Sequence, residues 1–78
     1  MAKLLLLGPA REAAGIRHDS IDASCVGELL QLAGDRYGEA FQRVLAVSQI
    51  WLNGEWTELT ALVGPHDEVA VLPPVAGG

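Results

Sequence analysis

Cysteine is nearly absent: Cys25 stands alone among 78 residues. No internal disulfide can form, and this usage suits a reducing cytosol, so a cytoplasmic location is expected. Histidine is scarce too. His18 and His66 lie far apart and have no cysteine pair to join them, so no metal site is expected. Basic residues are few. Lys3, Arg11, Arg17, Arg36 and Arg43 are scattered against ten acidic residues, for a net charge of −5. Nucleic-acid binding needs a basic stripe to replace counterions along the phosphates; this chain would be repelled by that surface and by an anionic membrane. Long apolar runs are missing as well. Leu4-Leu5-Leu6-Leu7 ends at Gly8-Pro9, which is too short for a signal core or a membrane span. Length is the last shortage. One small domain has no room for a catalytic cleft of converging side chains beside a cofactor pocket. A carrier or binding partner that holds no cofactor of its own is the better expectation.

What is present is a folding sequence. Half of the residues are apolar and 19% are charged, the balance of a globular domain. Residues 3–8 predict a strand. Its leucines do not alternate with polar residues, so both faces of that strand are apolar. Pro9 opens a short helix through Ala14, with Gly15 as its stop. Residues 16–22 predict a second strand. Ser24 is the expected N-cap of the main helix, 25–33, in which Val26, Leu29, Leu30 and Ala33 repeat on one face. Gly34 is its expected end, and Cys25 beside Val26 reads as buried. A shorter helix covers 39–46, with Phe41, Val44 and Leu45 on its apolar side. Gln49–Leu52 is rich in strand formers, Asn53-Gly54 is a hairpin turn pair, and Glu55–Thr57 forms a short return strand. Gly64-Pro65 turns the chain into a closing strand at Val69–Leu72. One main helix across a mixed sheet is an α+β arrangement, and the ubiquitin-like β-grasp is the compact form of it. Residues 1–72 form that domain and 73–78 an extended tail.

The tail carries the functional signal. Pro73 and Pro74 end the strand, because proline cannot donate to a ladder and holds an extended backbone. Val75, Ala76, Gly77 and Gly78 follow. Six extended residues span up to about 20 Å. A glycine pair is narrow enough to thread a channel and bring a carboxylate to another protein's active centre. A free carboxylate is unreactive toward nucleophiles and needs activation, for example as an acyl-adenylate made from ATP. The chain then serves as an acyl carrier, with catalysis supplied by its partners.

At these residues the sequence resembles the small subunit of molybdopterin synthase, a ubiquitin-like sulfur carrier. The resemblance is carried by Asp67-Glu68-Val69-Ala70 and by Leu72-Pro73-Pro74-Val75-Ala76-Gly77-Gly78. Leu4–Leu7, Arg11-Glu12, Gly15 and Leu52-Asn53 support it. It implies that a ubiquitin-activating-like adenylyltransferase uses ATP to adenylate Gly78, and that a sulfur donor converts the adenylate to a thiocarboxylate. It also implies that the tail then enters the large synthase subunit, where sulfur passes to cyclic pyranopterin monophosphate. Two departures stand out. Pro65-His66 precedes Asp67-Glu68 where the family often has a glycine, and Leu72 stands where the family often has an aromatic residue. The Gly-Gly end alone also fits carriers for thiamine, thiolated tRNA or cysteine synthesis, and ubiquitin-like protein modifiers.

A docking surface is expected at the root of the tail. If Leu4 and Leu6 pack under the helix, Leu5 and Leu7 face the other way. Trp56 and Leu72 are expected to join Leu7 there as the partner-binding patch, and burial of each leucine is worth about 1.5–3 kcal/mol. Trp51 reads as structural. The Arg11-Glu12 pair reads as helix-surface charge, and His66 as solvent-exposed.

Overall fold

The computed structural model describes residues 1–74. The expected α+β fold is present. β1 (Ala2–Leu6) leads through α1 (Gly8–Ala14) into β2 (His18–Ile21). Then come α2 (Val26–Tyr37), α3 (Glu39–Ala46), β3 (Gln49–Leu52), β4 (Glu55–Trp56) and β5 (Glu68–Leu72). The strands form one mixed sheet in the order β2-β1-β5-β3-β4. The central pair, β1 and β5, is parallel, with Leu5 opposite Ala70 and Leu6 opposite Val71. The flanking pairs are antiparallel. This is the β-grasp: the first and last strands lie side by side and the helices cover one face.

Alternation places the core. Ala2, Leu4 and Leu6 of β1, Ile21 of β2, and Val69 and Val71 of β5 are all buried on one face of the sheet. Ile50 and Leu52 of β3 pack against them. The helical side supplies Val26, Leu29, Leu30 and Ala33, the four positions that the periodicity picks out, together with Phe41 from α3. Tyr37 meets Phe41 edge-on, with ring centroids 5.1 Å apart, the geometry that aromatic quadrupoles favour. Val44 and Leu45 pack on the same cluster as expected.

Two expectations about the main helix are corrected. Its end is Gly38, not Gly34. Gly34 is buried inside α2, and its carbonyl accepts from Gln42 Nε2 at 2.9 Å. A Cβ at Gly34 would sit 3.2 Å from Gln42 Cγ, so this glycine allows α3 to come close and does not break the helix. Gly38 has φ +94°, a backbone that L side chains rarely adopt, and the chain reverses there. The N-cap is Cys25, not Ser24. Cys25 is half-buried, and its Sγ accepts from Glu28 N at 3.5 Å. The Glu28 carboxylate reaches back to accept from Ser24 N at 2.9 Å and from Ser24 Oγ at 3.3 Å. This is a capping box with its members moved by one residue. The first amides of α2 are met by the loop before β5: Val26 N donates to Ala61 O and Gly27 N to Leu59 O.

Two polar clusters pin the edges of the fold. Asp19 of β2 accepts from the Tyr37 hydroxyl and, at 2.7 Å, from Arg36 Nη1, both at the end of α2. Partial burial works against the Asp19 charge. Hydrogen bonds from Tyr37, Arg36 and Ser20 N outweigh it and hold the carboxyl below its usual value. Tyr37 is pushed up to about 12 by burial and by its bond to that carboxylate. At the far end of the sheet, Asn53 joins two turns. Its amide donates to Asp67 Oδ1 at 3.0 Å, and its carbonyl accepts from Glu68 N at 2.9 Å. The bond donated by the Asn53 amide, with another from Gly64 N, holds the Asp67 carboxyl below its usual value.

Candidate functional site

β5 is a central strand, and the chain leaves it directly at Pro73 and Pro74. The tail root therefore emerges from the middle of the sheet. Val75, Ala76, Gly77 and Gly78 lie outside the described residues. A cleft of about 360 Å³ sits at the root, lined by Val47, Gln49, Leu72, Pro73 and Pro74. Val47 of the α3–β3 link is 65% exposed there, and nothing in the sequence pattern marked it.

The face of the sheet away from the helices is open. The register writes one row of residues across all five strands: His18 opposite Leu5, Leu5 opposite Ala70, Ala70 opposite Trp51, and Trp51 opposite Trp56. Each has a core-facing neighbour or a register partner that fixes its side, because successive side chains point to opposite faces. Leu5, Ala70 and Trp51 are half-buried, and Trp56 is 66% exposed. One step toward the tail, Leu72 lies opposite Gln49 on this same face.

The expected partner-binding residues are brought together only in part. Trp56 and Leu72 share the open face but stand on non-adjacent strands. Leu7 lies past the last β1–β5 pair, Leu6 with Val71. Leu7 is half-buried and serves as the N-cap of α1, its carbonyl accepting from Ala10 N at 3.1 Å. Trp51 belongs to the open face and not to the structural set. Its Nε1 donates to Gln49 Oε1 at 3.3 Å. The sequence carried the signal for this. Asn53 and Gly54 have φ +52° and +83°, the two-residue turn that sets Leu52 opposite Glu55 and Trp51 opposite Trp56. With Leu52 turned to the core, Trp51 must face out.

No polar or charged residue among those described is buried, and none of them form a group of three or more His, Cys, Asp or Glu placed to hold a metal. A larger cleft of about 580 Å³, lined by Lys3, His18, Asp19, Ser20 and Glu68, lies toward the other end of the sheet. It is open and of mixed charge. Among the described residues no helix is long and apolar enough to cross a membrane. Among the described residues the arrangement offers an open sheet face with apolar residues at its centre and a chain that leaves the central strand at Pro73.

Comparison with known proteins agrees with this architecture. Small archaeal modifier protein 1 from Methanosarcina acetivorans is 27% identical, with a TM-score of 0.88 over 99% of this chain and 95% of its own. Its counterpart from Haloferax volcanii is also 27% identical, with a TM-score of 0.81 over 99% and 98%. A chain of the complex between subunits 1 and 2 of the molybdopterin-converting factor from Helicobacter pylori is 26% identical, with a TM-score of 0.76 over 99% and 97%. No curated protein matches significantly in sequence. The profile of the ThiS family matches residues 4–78, from the first strand through the final glycine, and the chain belongs to that family of ubiquitin-like sulfur carriers.

Proposed function

We propose that this protein is the small, sulfur-donating subunit of a molybdopterin synthase. The observation that carries the reading is the family match running through Gly78, on a tail that leaves a central strand at Pro73-Pro74. The 26% identical chain from the Helicobacter pylori complex of subunits 1 and 2 of the molybdopterin-converting factor supports this choice of pathway.

The chemistry begins with a carboxylate that cannot react unaided. A Gly78 oxygen attacks the α-phosphorus of ATP in a ubiquitin-activating-like adenylyltransferase, and pyrophosphate leaves. Hydrosulfide supplied by a sulfur donor then attacks the acyl carbon, and AMP leaves with the electron pair of the broken C–O bond. The product is a thiocarboxylate at Gly78. Glycine has no side chain to obstruct either approach. Pro73 and Pro74 restrict the backbone where the chain leaves β5, and Val75, Ala76 and Gly77 are small enough to enter the large synthase subunit. There the thiocarboxylate sulfur bonds to cyclic pyranopterin monophosphate, and water cleaves the acyl carbon–sulfur bond, leaving the sulfur on the pterin and returning Gly78 to a carboxylate. This chain binds no cofactor; ATP is consumed by its partner. Leu72 and Trp56 dock the body while the tail reaches the active centre. A cytoplasmic site of action fits the same reading.

Intact mass spectrometry tests it. The chain is incubated with a cognate activating enzyme, ATP and a sulfur donor. The expected product is heavier by the difference between sulfur and oxygen, and deletion of Gly77-Gly78 removes it without changing thermal stability. Conversion of the pterin with the large subunit then fixes the pathway. An unchanged mass, with the enzyme active on a control carrier, overturns the reading. Likeness to the archaeal modifier proteins supports a second one, a protein tag, which predicts higher-mass conjugates through a lysine isopeptide bond to Gly78.

A further inference from the structure

We infer that Lys3 is an acceptor site for the tail of a second copy of this chain: the cleft around Lys3 positions its amine to take the activated acyl group of that copy's Gly78, so that copies join head to tail through an isopeptide bond. This rests on the carrier reading, because the donor is the Gly78 acyl-adenylate.

Chemistry leaves few acceptors. Of the basic side chains, Arg11, Arg17, Arg36 and Arg43 carry guanidinium groups that stay protonated and are not nucleophiles. Lys3 is the one side-chain amine in the sequence. It is exposed on β1. Burial of Ala2 and Leu4 on either side of it turns it to the open face of the sheet. The register sets Ser20 of β2 on one side of it and Glu68 of β5 on the other. His18 lies opposite Leu5 on the same face. Together with Asp19, these residues line the cleft of about 580 Å³. The carrier chemistry makes no use of this cleft.

An ammonium attacks an acyl carbon only after it gives up a proton. Neighbouring strands lie only about 4.8 Å apart, which brings Glu68 beside Lys3. Asp19 is taken up by Arg36 and Tyr37, so Glu68 is the carboxylate left to accept that proton. The free amine attacks the Gly78 acyl carbon of the donor copy. A C–N bond forms, the C–O bond to the adenylate breaks, and AMP leaves with its electron pair. The proton passes from Glu68 to water. Ala76, Gly77 and Gly78 of the donor carry nothing larger than a methyl group, so they fit beside the lysine.

Direction makes the donor another copy. β1 and β5 are parallel, so Lys3 stands where β5 begins and the tail departs where β5 ends. The rise from Glu68 to Leu72 separates those ends by about 13 Å. To reach its own Lys3 the tail, about 20 Å at full stretch, would have to reverse and run back along the sheet. A second copy needs no reversal. With donor and acceptor at opposite ends, the addition can repeat without closing.

The full chain is incubated with a cognate activating enzyme and ATP, with no sulfur donor to compete for the adenylate. Adenylation is followed as pyrophosphate exchange and conjugation by intact mass. The expected product is two chains less one water, and trypsin releases residues 44–78 joined to Lys3. Lys3→Arg keeps the charge and is expected to lower the dimer about 10-fold or more, with exchange within about twofold. Glu68→Gln is expected to slow dimer formation about 10-fold with exchange likewise unchanged. Lys3→Arg combined with Arg11→Lys moves the amine to an exposed position on α1 and is expected not to restore the dimer. Urea unfolding of each variant checks that the body is intact. Normal exchange with no dimer, linkage at Met1 instead of Lys3, equal product from the amine on α1, or a lighter monomer closed on its own Lys3 each overturns the inference and leaves the carrier reading standing. If the wild-type chain supports no exchange while a control carrier does, the carrier reading falls and the inference with it.

Discussion

The two faces of the sheet are built from the same five strands and differ in nearly every physical respect. On the helix side, Leu4, Leu6, Val69 and Val71 have at most 1% of their surface exposed. On the open side, their immediate neighbours Leu5, Ala70 and Leu72 remain half-exposed, and Trp56 is 66% exposed. Every second residue thus works for stability and the ones between work at the surface. In an ordinary one-sided sheet the outer set is polar. Here apolar Leu5, Ala70, Leu72, Trp51 and Trp56 are interleaved with polar Lys3, His18, Ser20, Gln49 and Glu68. Contiguous exposed apolar residues are the usual mark of an interaction surface.

Substitutions on each face sharpen that contrast. The largest stability effect is expected at Phe41, which is fully buried where α3 meets the core. Phe41→Ala should cost about 3–5 kcal/mol in urea unfolding, the range for truncating a buried aromatic. Next comes the tie between the sheet edge and α2. Tyr37→Phe removes the hydroxyl that donates to Asp19 and should cost about 1–2 kcal/mol.

The acid response follows from the carboxylates. Asp19 and Asp67 are both lowered by hydrogen bonds made in the fold. Their stabilising effect is fully present above the unfolded value, near pH 4, and is lost as pH falls through the lower folded values. A pH series of thermal melts should therefore show an acid limb that is shallower in Tyr37→Phe. Tyr37 works in the opposite sense. Its folded value is raised to about 12, so its contribution is complete below pH 10 and disappears as pH climbs toward 12. The smallest stability effect is expected on the open face. Trp56→Ala should change the unfolding free energy by no more than about 0.5 kcal/mol, yet weaken binding to the activating enzyme. A large stability loss from Trp56→Ala would break the division of labour between the faces.

Much of this was legible in local pattern. The hairpin at Asn53-Gly54, the stop at Gly15, the Val26-Leu29-Leu30-Ala33 stripe and the closing strand all fall where propensity and period place them. The misses share a cause. Gly34 looks like a helix end until Gln42 and α3 are packed beside it, because a glycine that admits a neighbour and one that ends a helix are identical in a linear reading. Ser24 looks like the cap until the loop at Leu59–Val63 fixes where the first helical amides sit, which hands the role to Cys25. Leu7 continues the leucine run, so alternation assigns it to the open face. The ladder stops one residue earlier because α1 begins. Trp51 was legible in principle, since the turn pair and the core-facing Leu52 together determine its side.

By itself the sequence determined the parts that depend on near neighbours: which residues alternate, where the chain turns, and the chemistry of an unhindered glycine behind two prolines. Family membership through the final glycine also rests on it. Only the tertiary structure decided which strands lie side by side. β1 and β5 are separated by most of the chain, and they pair because burying both on the same helices removes the most apolar surface from water. That long-range pairing sets Leu5 against Ala70 and Ala70 against Trp51. A flat apolar face at the root of the tail exists only once the register is fixed.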